Sequence, residues 1–522
     1  MQSVTNKHAM KILSNEEIRE IEQYTIETQG IDTLELIERV ASAVVVEVKK
    51  LCDRKDKLIV LAGWGNNGAD ALETARQLAT EGYRPVVYLF NIGGNRLSEE
   101  CAAIRERILK TEGIELFEIT GKEPFRWPEV SSSTTIIDGL FGSGLNRPLP
   151  RTFQLLAQNI NESGATVVSI DIPSGLMAEW NGATPRENMM HATVTVAVEF
   201  PKLSFMLPEN AEVVGTWKVI KIGYDKKAIS KAPFSFILID RPIVRGLLNP
   251  RNLFSSKADY GNALIVAGST GMMGAAVLAA KAALRTGAGK VTVYSASQGN
   301  HILQTAVPSA MFKMDTRYDG ADKITRIPFD KAYNAISVGP GIGTADETAS
   351  ALEKFIKASS ASGQRIILDA DALNIIAKRP ILLNYIQPLS VITPHEKEFD
   401  RIFGECDSHE ERLRKAIKCA QEYSLIIVLK GRHTAVIRSD GKITFNSTGT
   451  PALATPGSGD VLTGILTALM AIGLSSEIAA FVGPYIHGLA GELAEEEHGE
   501  YGVTAEDIVD YIGKAIKLIM ES

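Results

Sequence analysis

The sequence predicts an α/β protein with two domains, each built on a largely parallel sheet. Its 522 residues exceed what a single hydrophobic core usually organises. From Lys57 onward, short β-branched runs alternate with helical patterns, and the runs are KLIVLAG, RPVVYLFN, TTIIDGLFG, ATVVSIDIP and TVTVAVEF. A second alternation starts near Asn262 with NALIVAGS and continues to the C-terminus. Because such alternation is typical of doubly wound sheets, we expect a Rossmann-like domain followed by a second α/β domain.

The boundary between the domains is predicted within residues 222–261, which contain fewer glycine-marked strand ends than their flanks. We place it so that the first domain covers residues 1–225 and the second covers residues 226–522. Ahead of the first sheet, residues 14–50 carry the pattern of two amphipathic helices that would cover the sheet. Ser14 followed by Glu17 is typical of a capping box at the start of the first helix.

Composition and charge exclude several classes of protein. The net charge of −7 argues against a nucleic-acid partner, because binding a phosphate backbone needs a basic field. Every long apolar stretch is interrupted before about 18 residues, and the first fifteen residues lack an apolar core, so we expect a cytoplasmic protein with no membrane partner. The four cysteines fall in no C-x-x-C pair, and we expect free thiols at Cys52, Cys101, Cys406 and Cys419.

A glycine-rich turn follows the first strand, where KLIVLAG continues into GWGNNGAD and a helical pattern. Gly63, Gly65 and Gly68 would let a phosphate approach backbone N–H groups at the start of that helix. The spacing is not G-x-G-x-x-G, and an ordinary strand-to-helix turn is the alternative. Two asparagines and an aspartate in the turn serve no evident packing purpose, which favours a binding role.

Two further strand ends carry carboxylates, in IIDGLFGSGLNRPLP around Asp138 and in SIDIPSG around Asp171. The carboxyl ends of parallel strands meet in one crevice, so Asn67, Asp138 and Ser174 could converge as oxygen ligands. Such a set suits a cation like K⁺ rather than Zn²⁺. The alternative is that both aspartates cap helices or brace loops. Arg147, in the glycine-containing loop, would be a natural phosphate contact.

Taken in order, GWGNNGAD, DGLFGSGLNRPL, DIPSG and EFPK with Lys202 resemble the NAD(P)H-hydrate epimerase domain over roughly residues 10–225. The resemblance implies K⁺ held by Asn67, Asp138 and Ser174, and Asp171 is our candidate for proton handling. Ala69 and Ala71 stand where the family commonly has glycine, which could affect affinity for substrate. The residues implied to bind the hydrated nucleotide are Asn66, Asn67, Gly68, Ala69, Asp70, Gly142, Ser143, Gly144, Leu145, Asn146, Arg147, Pro148 and Asp171.

In the second half, the decisive segment is NSTGTPALATPGSGDVLTGILTALM, residues 446–470. The N–H groups of Gly457, Ser458 and Gly459 could form an anion hole at a helix N-terminus. The carboxylate of Asp460 could activate a hydroxyl for attack on a phosphoryl group held there. A simple helix cap at Asp460 is the alternative.

This segment resembles the ribokinase-like superfamily. Five other segments narrow the resemblance to the ADP-dependent NAD(P)H-hydrate dehydratase family along residues 235–520. Those segments are YGNALIVAGSTGMMGAAVLAAKAALRTGAGKVTV, VGPGIG, ILDADALN, TPHEKEFDRI and LKGRHTAVI. The resemblance implies a hydrate site at Ala275, Gly341, His395 and Asp460. It implies an ADP site at Lys430, Gly431, Arg432, His433, Thr434 and Gly459. A solvated basic turn at Lys430 and a structural role for His395 are the alternatives, and Lys397 departs from the family's usual glycine.

Together the two halves predict a bifunctional enzyme of nicotinamide nucleotide repair. It would epimerise the R and S forms of hydrated NADH and NADPH (NADHX and NADPHX) and dehydrate the S form at the expense of ADP, with Mg²⁺. We also expect a homo-oligomer. The rival interpretations are a ribokinase-like kinase of a vitamin precursor or sugar with a nucleotide-binding domain in front, and a non-enzymatic nucleotide sensor.

Overall fold

The computed structural model describes residues 10–94, 96–121, 128–316 and 322–521. The chain forms two compact units, one over Lys11–Phe234 and the other built mainly from Ser235–Ser522. Both are mixed α/β units with largely parallel sheets, which confirms the predicted fold class. Among the described helices, none is long and apolar enough to cross a membrane. The four cysteines are free thiols, as expected.

The first unit is a seven-stranded sheet between two layers of helices. Its elements, with the short strand that precedes them, are β1 (Met10–Ile12), α1 (Asn15–Gln29), α2 (Thr33–Val48), β2 (Lys57–Ala62), α3 (Asn66–Thr80), β3 (Val86–Phe90), α4 (Glu99–Ile108), β4 (Glu115–Ile119), β5 (Thr134–Gly139), α5 (Arg151–Ser163), β6 (Thr166–Ile170), β7 (Val194–Val198), α6 (Ala211–Val214), β8 (Thr216–Ile220) and α7 (Lys226–Lys231). Helices α1 to α4 pack on one face of the sheet and α5 on the other.

The strand order of this sheet is β4-β3-β2-β5-β6-β7-β8, and every neighbouring pair is parallel. The order reverses direction between β2 and β5. A crevice opens beyond the carboxyl ends of the strands at such a reversal, and ligands of open α/β sheets bind there. The glycine-rich turn after β2 and the Asp138 loop at the end of β5 therefore lie side by side.

The predicted capping box at the start of α1 is confirmed. The Ser14 hydroxyl accepts from the N–H of Glu17, and the Glu17 carboxylate accepts from the N–H of Ser14. The first unit extends beyond residue 225 because α7 docks on it. The N–H of Asp225 donates to Thr25 Oγ1 on α1, and the buried ammonium of Lys11 donates to three carbonyl oxygens at the end of α7. The structure thus places residues 226–234 with the first unit rather than the second.

The second unit continues with β9 (Phe236–Ile239), α8 (Arg241–Leu247), β10 (Asn262–Val266), α9 (Met273–Thr286), β11 (Lys290–Ala296), α10 (Asn300–Ala306), β12 (Met311–Asp315), β13 (Ala335–Val338), α11 (Asp346–Ser362), β14 (Ile367–Leu368), α12 (Asp371–Lys378), β15 (Val391–Ile392), α13 (Glu396–Phe403), α14 (His409–Glu422), β16 (Ile426–Leu429), β17 (Ala435–Ile437), β18 (Ile443–Asn446), α15 (Ser458–Ala471), α16 (Ser476–His498) and α17 (Ala505–Glu521). Its strands lie in the order β9-β18-β17-β16-β15-β14-β13-β10-β11-β12. Strand β17 is antiparallel to both neighbours, and the other pairs are parallel.

Helices α9, α15, α16 and α17 share one apolar core on a single face of this sheet. Helices α9 and α15 approach each other closely at Gly464. A Cβ built on this glycine would lie 2.2 Å from the carbonyl oxygen of Ala279. Close packing at this position holds α15, and hence the loop before it, against the sheet.

Replacing Gly464 with alanine should therefore lower the stability of the second unit by about 1–3 kcal/mol, because a backbone must move to admit the methyl group. Gly513 on α17 is the matched control, since a Cβ there meets nothing within 4 Å. Gly513→Ala should stabilise its helix by about 0.5–1 kcal/mol. Thermal unfolding of the full chain followed by circular dichroism measures both changes. An unfolding midpoint for Gly464→Ala at or above that of the wild type would contradict the close-packing account.

Candidate active sites

The first candidate site is a cavity of about 680 Å³ in the first unit, at the crevice beyond β2 and β5. Of the residues predicted to bind the hydrated nucleotide, all but one line this cavity: Asn66, Asn67, Gly68, Asp70, Gly142, Ser143, Gly144, Leu145, Asn146, Arg147, Pro148 and Asp171. The exception is Ala69, whose side chain is fully buried in the core. The sequence motifs therefore converge on one cavity.

Close packing of the backbone requires glycine at two positions of the glycine-rich turn. A Cβ on Gly63 would lie 1.9 Å from the carbonyl oxygen of Leu140, and one on Gly68 would lie 1.9 Å from the carbonyl oxygen of Gly63. The glycines thus let the turns after β2 and β5 touch. The start of α3 at Asn66 presents its free N–H groups at the same place, where an anion is favoured.

A buried carboxylate, Asp138, lies at the end of β5. Its Oδ1 accepts from Ser174 Oγ at 2.5 Å, and its Oδ2 accepts from the N–H of Ser174 and from Ser169 Oγ, both at 2.9 Å. These bonds brace the loop after β6, as the alternative interpretation held. Burial raises the pKa of Asp138 above its usual value in spite of them.

The Asp138 carboxylate forms no ion pair with any described residue. Nearby, the amide nitrogen of Asn67 is buried without a hydrogen-bond partner, and a Cβ on Gly142 would lie 3.1 Å from Asn67 Cβ. The oxygens of the Asp138 carboxylate and the Ser174 hydroxyl are ligands that suit a hard monovalent cation, and Asn67 joins them when its amide oxygen takes the place of the unpartnered nitrogen. The residues Asn67, Asp138 and Ser174 therefore fit the K⁺ site that the sequence predicts.

Asp171 follows β6 in a left-handed backbone conformation, with φ of 64°. Its Oδ1 lies 2.7 Å from the ammonium of Lys202, whose side chain is only 1% exposed. The same carboxylate accepts from the N–H of Val198. A non-glycine residue with positive φ is uncommon, and it concentrates at functional sites. The strained backbone and the buried ion pair aim the carboxylate into the cavity.

Lys202 was quoted in the EFPK motif but was not among the predicted site residues, although it also lines the cavity. Helix α1 contributes a wall that the sequence interpretation missed, including Asn15, Arg19 and Glu22. Its amphipathic pattern indicated a helix that covers the sheet, and nothing in that pattern indicated that polar residues near its start face a cavity.

The acidic side chains of Glu22, Asp70 and Asp171 lie close enough in this cavity to interact with one another. The phenol of Tyr224 donates to Glu22 Oε2 at 3.2 Å. Burial, together with the charges of Asp171 and Glu22, raises the pKa of Asp70 well above its usual value. Burial likewise raises the pKa of Glu22. Of these three carboxylates, Asp171 forms an ion pair with Lys202, and Asp70 and Glu22 form no ion pair within the part of the chain that the structure describes.

The second candidate site surrounds the N-terminus of α15, where Gly457 turns the chain with φ of 89°. Asp460 stands in the first helical turn and is half-buried. Burial, and next the charge of Asp369, raises the pKa of Asp460 to about 7, although Lys430 opposes the shift. The hydroxyl of Ser458 hydrogen-bonds His487 Nε2 at 3.1 Å, which fixes the turn on α16.

Lys430 at the end of β16 is held beside this turn. Its ammonium lies 3.0 Å from Asp369 Oδ1 and 3.7 Å from Glu398 Oε2. A Cβ on Gly459 would lie 3.6 Å from the same ammonium. The structure therefore brings Lys430, Gly459 and Asp460 together, and Lys430 is not in a solvated basic turn.

Asp369 was quoted within ILDADALN but given no role. Its Oδ2 accepts from Thr463 Oγ1 on α15 at 2.6 Å. Burial raises the pKa of Asp369, but Lys430 and the hydrogen bonds outweigh burial and keep that pKa below its usual value. Two residues on, Asp371 accepts from the N–H of Gly343. The signal that could have identified Asp369 is its position, a carboxylate directly after a parallel strand.

The other predicted residues of this site fall into three groups. Ala275 and Gly341 abut, since a Cβ on Gly341 would lie 3.2 Å from that of Ala275. His395 caps α13 through Nδ1, which accepts from the N–H of Glu398, and partial desolvation lowers the pKa of this half-exposed side chain, as expected for a neutral imidazole. The turn after Lys430 comprises Gly431, Arg432, His433 and Thr434. In it Thr434 donates to the carbonyl of Gly431, and His433 Nδ1 hydrogen-bonds the carbonyl of Asn446.

Comparison with known proteins matches both halves of the chain. Residues 263–514 match the family model for NAD(P)H-hydrate dehydratase, and residues 33–204 match that for the YjeF-related protein N-terminus. A dehydratase structure from Bacillus subtilis, described as ADP/ATP-dependent NAD(P)H-hydrate dehydratase co-crystallised with ATP and Mg²⁺, is 31% identical. It covers 54% of this chain and 97% of its own, with a TM-score of 0.48.

Whole-length relatives carry both halves in the same order. The bifunctional NAD(P)H-hydrate repair enzyme Nnr of Thermofilum pendens is 31% identical over 526 residues, covering 98% of this chain and 97% of its own. The protein of the same name from Escherichia coli K12 is 31% identical and covers 96% of this chain and 93% of its own. This chain belongs to the bifunctional NAD(P)H-hydrate repair enzyme family.

Proposed function

We propose that the first unit epimerises the R and S forms of NADHX and NADPHX and that the second unit dehydrates the S form with consumption of ADP. The observation that carries the proposal is the placement of Asp460 at the N-terminus of α15, beside Lys430 and Gly459. The kinase interpretation is not favoured, because the model that matches residues 263–514 is that of a hydrate dehydratase. We also propose a cytoplasmic homo-oligomer, and the net charge of −7 supports the lack of a nucleic-acid partner.

In the dehydratase reaction, the ionised Asp460 accepts the proton of the substrate hydroxyl while the oxygen takes the terminal phosphoryl group of ADP, releasing AMP. The phosphorylated oxygen then leaves as inorganic phosphate, and loss of a ring proton restores the double bond. The N–H groups at the start of α15 and the Lys430 ammonium offset the charge on the transferred group. Lys430 is suited to this because Asp369 and Glu398 hold it in place.

Binding of the two substrates follows the same arrangement. We propose that Lys430, Gly431, Arg432, His433, Thr434 and Gly459 bind ADP. We propose that Ala275, Gly341 and His395, with Asp460, bind the hydrate. Among the described residues, no group of three or more His, Cys, Asp and Glu side chains could hold a metal ion. Mg²⁺ in nucleotide sites is held largely by phosphates, so it would arrive with the nucleotide and neutralise phosphate charge.

In the epimerase reaction, inversion at the carbon that bears the hydroxyl requires a group that moves a proton. Asp171 is that group in our proposal, because its carboxylate lines the cavity and is oriented by the buried Lys202. Asn66 to Gly68, Asp70 and the loop Gly142 to Pro148 would bind the nucleotide. K⁺ held by Asn67, Asp138 and Ser174 would neutralise the buried carboxylate and order the turns on either side of it.

Replacing each proposed catalytic aspartate should abolish one reaction and spare the other. Asp460→Asn should slow NADH formation from the S epimer and ADP by at least about 10³-fold, since the hydroxyl loses its base next to the phosphoryl group. Asp171→Asn should slow interconversion of the epimers by about 10²- to 10⁴-fold. Chromatography of the separated epimers without ADP measures epimerisation, and the absorbance of NADH measures dehydration.

The control for these variants is Asp510→Asn on α17, where the carboxylate is exposed and pairs with Arg285 at the surface. This variant should keep both activities. A fully active Asp460→Asn enzyme, or net formation of a phosphorylated product that accumulates, would rule out the dehydratase assignment.

The dehydratase should also show a pH dependence set by Asp460. Its carboxylate must be ionised to accept a proton, and burial holds its pKa at about 7. The ratio kcat/KM should therefore be low in acid and rise as the pH increases through about 7, because this ratio reports the pKa of the free enzyme.

The Asp371→Asn variant separates the pH dependence caused by Asp460 from the pH dependence caused by the titration of ADP. The charge of Asp371 helps to raise the pKa of Asp460, so the midpoint of the variant should lie at lower pH. Asparagine keeps an oxygen that can accept from the N–H of Gly343. ADP titrates identically in both reactions, so a variant midpoint equal to or above that of the wild type would contradict this account.

A further inference from the structure

We propose that Arg19 on α1 is an additional phosphate-binding residue of the first cavity. The inference deepens the proposed function, because it concerns the site where the first unit binds the hydrated nucleotide. It adds a cation from a helix that lies outside both glycine-rich motifs.

Arg19 faces the cavity next to the Gly142–Pro148 loop. It is one of the lining residues, and its Nη2 lies 3.7 Å from the position that a Cβ on Gly144 would take. One turn earlier, the amide of Asn15 donates to the carbonyl of Ser143. The start of α1 is thus fastened to the loop, which holds the guanidinium of Arg19 over it.

The charge of Arg19 is only partly compensated inside the protein. Within the part of the chain that the structure describes, Arg19 forms no ion pair, and its charge acts on Glu22 one turn later. By contrast, Lys202 is buried and paired with Asp171. Arg19 and the exposed Arg147 therefore supply the unpaired cations of this cavity.

The charges of the cavity suggest how a dinucleotide would lie in it. The carboxylates of Asp171 and Glu22 both interact electrostatically with that of Asp70. A phosphate is repelled there and attracted to the loop side, where Arg19, Arg147 and the N-terminus of α3 lie. The uncharged reduced ring then faces Asp171, and the phosphates face Arg19. An arginine suits this role because its planar fork matches the oxygens of a phosphate.

The substrate carries two kinds of phosphate that Arg19 could bind. The pyrophosphate is present in both NADHX and NADPHX, whereas the extra ribose phosphate is present only in NADPHX. Both kinds of phosphate present the same type of oxygen to an arginine. Comparing NADHX with NADPHX therefore shows which phosphate Arg19 binds.

The experiment measures epimerisation of the R form of each substrate, without ADP, by the full-length wild type, Arg19→Gln, Arg19→Lys and Arg54→Gln. Arg19→Gln should raise KM about 10-fold, the usual effect of losing a charge-assisted hydrogen bond, and leave kcat within about twofold. A rise for both substrates identifies the pyrophosphate, and a rise for NADPHX alone identifies the ribose phosphate. Arg19→Lys should recover part of the loss.

Arg54→Gln is the matched control, because it removes the same charge from an exposed residue outside the cavity, and its KM should equal that of the wild type. The inference is overturned if Arg19→Gln leaves KM unchanged for both substrates, or if it lowers kcat alone, which would indicate a structural role. A wild type that fails to interconvert the epimers would instead overturn the proposed function of the unit.

Discussion

Both candidate sites depend on carboxylates buried where parallel strands end. A buried charge is tolerated only when hydrogen bonds or an opposite charge stabilise it. Asp138 is stabilised by Ser169 and Ser174, and Asp369 by Lys430 and Thr463. Each of these bonds joins two segments that are far apart in the sequence. The carboxylates therefore fix the loops around them, and the binding surfaces take their shape from those loops.

The two units differ in how their buried carboxylates are paired with cations. In the first, Asp171 is matched by the buried Lys202, while Asp70 and Glu22 form no ion pair among the described residues and have raised pKa values. In the second, Lys430 is matched by Asp369, and Asp460 lies close to that pair without belonging to it. Its pKa of about 7 follows from burial and from the charge of Asp369. A group with that pKa is well suited to exchange protons at neutral pH.

The sequence predicted most of the local structure. Strand and helix alternation, the capping box at Ser14 and the glycine-rich turns depend on neighbours in the chain, and the structure contains them. The family motifs also converge as expected, since Asn67, the Gly142–Pro148 loop and Asp171 line one cavity. What the sequence did not predict depends on strand order and on the docking of helices.

The Asp171–Lys202 pair requires β6 and β7 to be neighbours, and the Asp369–Lys430 pair requires β14 and β16 to lie on either side of β15. No periodicity encodes those relations. The docking of α1 and α7 is equally non-local, which explains why the wall containing Arg19 was missed and why the first unit extends to Phe234. Ala69 was predicted to line the cavity from its place in the motif, but its side chain is buried in the core. A residue can belong to a binding motif without exposing its side chain.

We propose that one chain joins two consecutive reactions of nucleotide repair. The most direct measurement is a time course of the wild-type chain with pure R epimer of NADHX, followed by chromatography with and without ADP. Without ADP, the S epimer should accumulate to a constant ratio and no NADH should form. With ADP, conversion to NADH should be complete, with release of AMP and phosphate. Persistence of the R epimer in both mixtures, or NADH formed without ADP, would contradict the claim.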